Sequence, residues 1–350
     1  MIAEANTDFH ALLTDEYVAV ANRGRVFTRE GLRAVCQAHI SPKGENGITP
    51  IMDEADGVSF LQEIRKQRLA AYKSCPSDLT EHAHAEEVLR SEYAGRILPE
   101  MLQNAHDAIA TEPIGSKGVG FKAVLNVCKG PRIHSGPLHC GFDRARSREE
   151  FEDAGLVHDN ESVPLMRLPF PISETDEPQP VCDLISTYDT VVVLPFIGQS
   201  ARERFLNEWS EHAEDAMLLL FLPSLGRIVW ERREGADTSM RAWHCERQAT
   251  VVEIHDGEET DSVERWRLSS STRASVALRL DSEGRPVQEQ NYPSIRVFFE
   301  TDERSPLPIL IHADFPLKEG RTNVLIEDEA SGADLREATQ EVAHLARDAL

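Results

Sequence analysis

Arg96 to Val127 reads RILPEMLQNAHDAIATEPIGSKGVGFKAVLNV, and the fold turns on how its two halves are joined. Pro99 suits the first turn of a helix, where its missing N–H removes no hydrogen bond. From there Glu100, Asn104 and Asp107 recur at i, i+4 and i+7 and share one face. Leu98, Met101, Leu102, Ala105 and Ile109 follow the same period on a neighbouring face. One side of the helix can then pack on a sheet while the other presents a carboxylate, an amide and a second carboxylate. Taken alone, such a stripe is also what a solvated helix surface looks like.

The second half is Gly115-Ser116-Lys117-Gly118-Val119-Gly120-Phe121-Lys122, followed by a helix-compatible run from Ala123 to Val127. Backbone N–H groups at a helix start, reached through residues without Cβ, make an anion site that the helix dipole reinforces. The spacing G-x-x-G-x-G is weak by itself. It is not a P-loop, since no Gly-Lys-Ser/Thr follows, and it reverses the glycine order of a dinucleotide fingerprint. The signal is its conjunction with the polar-striped helix.

These two segments, Glu-x-x-x-Asn-x-x-Asp-Ala from Glu100 to Ala108 and Gly115 to Lys122, resemble two signature boxes of the GHKL ATPases. The wording Leu-Gln-Asn-Ala-x-Asp-Ala with Gly-Val-Gly-Phe-Lys is most similar to the sacsin-like branch, which stands near the heat-shock chaperones. The resemblance implies a Bergerat-type α/β sandwich, a mixed sheet covered by helices, with ATP and Mg²⁺ as cofactors. It implies Glu100 as general base on water and Asn104 as the Mg²⁺ ligand. Asp107 and the glycine box, Gly115, Lys117, Gly118, Val119, Gly120, Phe121 and Lys122, would bind nucleotide, with the amides of Gly118 and Gly120 on phosphates and Lys122 adding positive charge. The residue types suit these roles: a carboxylate accepts a proton, and an amide oxygen is a hard ligand for Mg²⁺.

Relatives also carry an adenine-contacting Asp-x-Gly box between these two, and no room for it exists between Asp107 and Gly115. Upstream, Tyr17 to Thr28 (YVAVANRGRVFT) reads as a strand, a glycine turn and a helix start. It resembles the sacsin-like form Asn-x-Gly-x-Pro-Phe, with Asn22 and Gly24 in the box. A following helix, Arg29 to His39, ends at Ser41-Pro42-Lys43, where relatives have Ser-x-Lys. The resemblance therefore implies a circularly permuted order, which surface termini and loops tolerate. Asn22 stands where most relatives have aspartate, and an amide can donate as well as accept.

The chain has 350 residues, 41% hydrophobic and 28% charged, which suggests two domains with real cores. A formal net charge of −23 argues against broad contact with nucleic acid, whose affinity comes largely from neutralised phosphates. Cys36, Cys75, Cys128, Cys140, Cys182 and Cys245 form no C-x-x-C pair and read as reduced thiols of a cytoplasmic protein. His82-Ala83-His84 lacks a second cysteine pair to complete a zinc site. The start shows no signal-peptide pattern, and the run Ala216 to Leu222 is too short to span a bilayer.

Residues 41–57 read as a loop, and a helical bridge of about 57–97 follows, with helices expected over 58–73 and about 80–97. Arg132–Gly136 and Leu138–Phe142 read as paired strands, 143–180 as irregular surface, and TYDTVVVLPF at 187–196 as a buried strand. A long helix is expected over roughly Ala201–Leu222. Strands are expected at 228–231, 250–254, 265–268, 275–280 and 295–300, then a last helix over 332–350. Pro306–Thr322 resembles the "ADF…R" segment of sacsin-like and heat-shock relatives, in which a basic residue often reaches the γ-phosphate. Lys318 and Arg321 are the candidates. The expected domains are a permuted ATP-binding domain, 1–198, and a smaller α/β middle or transducer-like domain, 199–350.

The expected function is slow Mg²⁺-dependent ATP hydrolysis driving conformational change or homodimerisation, with a protein partner in a chaperone-like or defence assembly. A nucleotide-binding switch without turnover is the other reading, suggested by Asn22, the permutation and the short Thr111-Glu112-Pro113 link. A regulatory subunit whose acidic surface meets a partner is a third.

Overall fold

The computed structural model describes residues 7–37, 49–92, 96–109, 120–157, 161–257, 263–287, 293–317, 323–325 and 329–349. The chain is mixed α/β and divides into two compact units, Met1–Ala213 with Val229–Met240, and Glu214–Ile228 with Arg241–Leu350. The boundary expected after residue 198 thus falls inside the first unit. Among the described residues no helix is long and apolar enough to cross a membrane.

In chain order the first unit contains β1 (Thr7–Leu13), β2 (Tyr17–Asn22), α1 (Arg29–Val35), α2 (Glu54–Ser74), α3 (Ser77–Glu92) and α4 (Ile97–Asp107). A 3₁₀ helix, Gly120–Asn126, precedes β3 (Arg132–Ser135), β4 (Leu138–Phe142), α5 (Arg144–Asp153), β5 (Pro169–Pro171), α6 (Gln179–Thr187), β6 (Thr190–Pro195) and α7 (Gln199–His212). Most of β7 (Leu225–Glu234) completes it. The strand order is β7-β1-β2-β6-β3-β4-β5, with β1/β2, β2/β6, β6/β3, β3/β4 and β4/β5 all antiparallel.

Every residue of β6 is buried, which an antiparallel strand shows only when both faces are covered. On one face α6 lays Val181 and Leu184 against Leu12, Tyr17, Ala19, Ala21, Val191 and Val193. The alternate residues Val18, Val20, Val192 and Leu194 point the other way and are buried as well. The amphipathic α4 packs on β1, α7 and the 3₁₀ helix with Leu98, Met101, Leu102 and Ala105 all buried. Trp230 is held edge-on between Phe9 and Trp209, at 5.8 and 5.0 Å between ring centroids.

The segment expected to be irregular, 143–180, holds α5, β5 and the start of α6. A charged helix with only Ser147 and Phe151 buried gives almost no apolar period, but Asp143 caps it by accepting from the Arg146 amide at 2.9 Å. Pro180 lies in the first turn of α6, where proline is compatible with a helix. The single helix expected over 201–222 is two, α7 and the short α8 (Leu218–Phe221); between them Asp215 accepts from the Met217 amide at 3.1 Å. The hydrogen bonds of Asp215 favour a turn over a continuous helix there.

The second unit contains α8, most of β8 (Asp237–Gln248), β9 (Val251–Asp256), β10 (Val263–Ser270), β11 (Ala274–Leu280), β12 (Ser294–Val297), β13 (Phe299–Arg304), β14 (Leu310–Ala313) and α9 (Glu329–Ala349). Its order is β8-β9-β10-β11-β14-β12-β13, and β12 runs parallel to β14, so the sheet is mixed. Ala338, Val342 and Ala346 of α9, four apart, pack on Val276 and Leu278 of β11 and Ile311 and Ala313 of β14. Cys36, Cys128, Cys140 and Cys245 are buried, Cys182 is half-buried and Cys75 is exposed.

Candidate functional site

Glu100, Asn104 and Asp107 lie on α4 as the period requires, but their surroundings differ. Asn104 is exposed, Asp107 is half-buried and Glu100 is only 6% exposed, with Arg96 Nη2 at 3.5 Å from its Oε1. The start of α4 has no side-chain cap of its own. Glu208 of α7 takes that place, accepting from the Leu98 amide at 2.5 Å. Burial pushes the Glu208 carboxyl up to about 8, against the pull of the Leu98 amide hydrogen bond.

The far end of α4 meets the Asn22–Arg25 turn. Asn22 closes β2 opposite Thr190 of β6 and donates its amide to the Arg23 carbonyl at 3.1 Å. The Gly24 N–H donates to Asp189 Oδ2 at 2.8 Å, and the Arg25 N–H to the Ala108 carbonyl at 3.0 Å. Gly24 has φ +130°, and a Cβ there would lie 2.9 Å from Ile109 Cγ1 and 3.1 Å from Ala108 Cβ. Only glycine fits this approach without strain. The structure therefore brings the Asn22/Gly24 segment against the helix that carries Asn104 and Asp107.

Gly115, Lys117, Gly118, Val119, Lys318 and Arg321 lie outside the described residues. Gly120 opens the 3₁₀ helix, Phe121 is half-buried, and the expected helix of 123–127 is this 3₁₀ turn. Lys122 is 1% exposed and its ammonium donates to the Gln37 carbonyl just beyond α1. Burial, with help from the positive charge of Arg167, holds Lys122 down to about 8.

Lys122 belongs to a buried group that motif reading did not anticipate. The Glu86 carboxylate of α3 accepts from the amides of Leu165 and Met166 at 2.6 and 3.0 Å. Arg167 Nε stands 3.7 Å from Glu86 Oε1, and Arg167 Nη1 donates to the Cys36 carbonyl at 3.0 Å. Beside it, Arg33, Gln37, Ile64, Gln67 and Arg68 line a cavity of about 90 Å³. These residues are scattered from 33 to 167 and follow no spacing, so no local sequence signal marks them.

No family model matches the chain. It is similar to the Protein NO VEIN of Arabidopsis thaliana, 28% identical over 173 residues, which is 48% of this chain and 6% of that protein. The chain thus spans a small fraction of that relative's length.

Proposed function

We propose that the first unit binds ATP with Mg²⁺ and hydrolyses it slowly, driving a conformational change, dimerisation or engagement of a protein partner. The observation that carries this reading is the docking of the Asn22–Arg25 turn on the C-terminal end of α4. Two segments that resemble parts of one nucleotide site, far apart in sequence and in permuted order, are adjacent in space. The donor set fits the cofactor: Asn104 offers an exposed amide oxygen, the hard ligand that Mg²⁺ prefers, with Asp107 one turn further on.

Bound Mg-ATP would supply a phosphoanhydride to be cleaved and a cation that offsets charge on its phosphate oxygens. Asn104 is assigned to the metal, Asn22 and Asp107 to the base end, and the glycine-box amides to the phosphates. Glu100 is assigned to orient water and hold its proton on a carboxylate oxygen, with Arg96 fixing the direction of that carboxylate. Lys122 is left out of these assignments, since its ammonium is engaged by Gln37.

A nucleotide switch without turnover is the second reading, and the burial of Glu100 against Arg96 favours it. One titration separates the two. Mg-ATP is added to the purified chain while melting and phosphate release are followed together, with N104A as control. At a hundred times its dissociation constant ATP should stabilise by about 2.7 kcal/mol. Stabilisation with turnover, both lost in N104A, supports the ATPase; stabilisation alone supports the switch. No stabilisation at millimolar ATP removes both.

A further inference from the structure

His244 and Glu246 on β8 face His255 and Glu253 on β9: the register pairs His244 with His255 and Glu246 with Glu253. Strand alternation puts all four on one side of the sheet, because Trp243, Cys245, Val252 and Ile254 between them are buried on the other. Carboxylate oxygens of Glu246 and Glu253 and a ring nitrogen of His255 lie within 4.8 Å of one another. Glutamates directly opposed across a strand pair repel. Arg265 Nε, 2.7 Å from Glu253 Oε1, offsets part of that repulsion.

The histidines supply a second, independent observation. The His255 ring lies flat on His244, with centroids 4.5 Å apart and planes within 5°. Its Nε2 is buried and has no hydrogen-bond partner among the described residues, an arrangement that costs free energy unless something occupies the lone pair or takes the proton.

We propose that this patch is a binding site for a first-row divalent cation of the Zn²⁺ class, with Glu246, Glu253 and His255 as ligands and His244 as the wall that orients the His255 ring. One imidazole with two carboxylates suits a borderline ion better than Ca²⁺ or Mg²⁺, which prefer all-oxygen shells. At metal–ligand distances of about 2.0–2.2 Å, tetrahedral donors stand roughly 3.3–3.5 Å apart. The present spread of up to 4.8 Å closes by rotating the two glutamate side chains on the open face. Three protein ligands on an open face leave a coordination position to water, as in catalytic rather than closed structural sites.

The inference does not depend on nucleotide binding by the first unit. Its test is equilibrium dialysis of the reduced, EDTA-treated full chain against Zn²⁺, beside H255A and E246Q, with the visible spectrum of the Co²⁺-loaded chain as a second readout. The expected result is about one ion per wild-type chain and at least a tenfold loss of affinity in each variant. A four-coordinate Co²⁺ band should be present in wild type and lost in H255A. Metal-free melting should be the same in all three, which separates loss of ligands from loss of fold. Uptake that survives unchanged in H255A would place the ion on the thiols or elsewhere and overturn the proposal, as would no uptake by the wild type at micromolar Zn²⁺.

Discussion

Glu208 on α7 accepts a hydrogen bond from the backbone amide of Leu98 and so closes the N-terminus of α4 from another helix. Its carboxyl is raised from an ordinary 4.5 to about 8, chiefly by burial. The folded chain therefore holds this proton more tightly than the unfolded chain. The stability it contributes is complete below about pH 4.5 and is lost as the pH rises through 8. Urea unfolding of wild type and E208Q between pH 5 and pH 8.5 should show a decline, on the order of a few kcal/mol, that is present in wild type and flattened in the variant. Parallel profiles would assign the pH dependence to other groups.

Gly24 tests the contact that carries the functional reading. With φ +130° and a built Cβ 2.9 Å from Ile109 Cγ1, Gly24→Ala is expected to destabilise by about 1–3 kcal/mol. It should also weaken ATP-dependent stabilisation more than its effect on folding alone accounts for. Equal stability of G24A and wild type by chemical denaturation would show that the turn is loosely held.

Glu100→Gln keeps the size of the side chain beside Arg96. Under hydrolysis, phosphate release should fall by at least about 10²-fold while ATP stabilisation is retained. Turnover unchanged in E100Q would take Glu100 out of the chemistry.

Arg167 and Glu86 form a buried pair, at 1% and 4% exposure. Arg167→Met leaves the carboxylate uncompensated and is expected to cost about 3–5 kcal/mol in denaturant unfolding. R167M/E86Q should recover part of that loss, because the buried carboxylate that lost its guanidinium is then neutral as well. A double variant no better than the single would mean that the hydrogen bond to the Cys36 carbonyl matters more than the pair.

Ala249 is the first of two loop residues joining β8 to β9 and has φ 52°, the position at which such hairpins favour glycine. Ala249→Gly should stabilise by about 1 kcal/mol, read as a shift of the unfolding midpoint. A decrease would show that unfolded-state entropy outweighs the relief of strain.

What sequence could show depended on how far the determining contact lies along the chain. The stripe of Leu98, Met101, Leu102 and Ala105 and the run TVVVLP carry their burial in a local period, and both stand as α4 and β6. β1 went unread because TDFHALL yields its pattern only once β2 is alongside, and β8, whose first half is polar, likewise. Of the candidate site, the spacing of Glu100, Asn104 and Asp107 was legible. That Glu100 is buried and Lys122 turns toward Gln37 was not, since both depend on partners placed by tertiary packing. The β8/β9 patch had no sequence signal either: a Glu-x-His on one strand acquires meaning only when the register sets a His-x-Glu against it.

The division of the chain into units has a practical consequence for anyone cutting it. The path leaves the first unit at Ala213, returns at Val229 and leaves again at Met240, so the two units are threaded through each other by sequence. A fragment ending at 198 or 213 lacks β7, the neighbour of β1 in the strand order, and exposes a row of unsatisfied backbone groups on that strand. Expression of the first unit by simple truncation should give insoluble material. A workable piece needs residues 229–240 rejoined through a designed linker in place of 214–228.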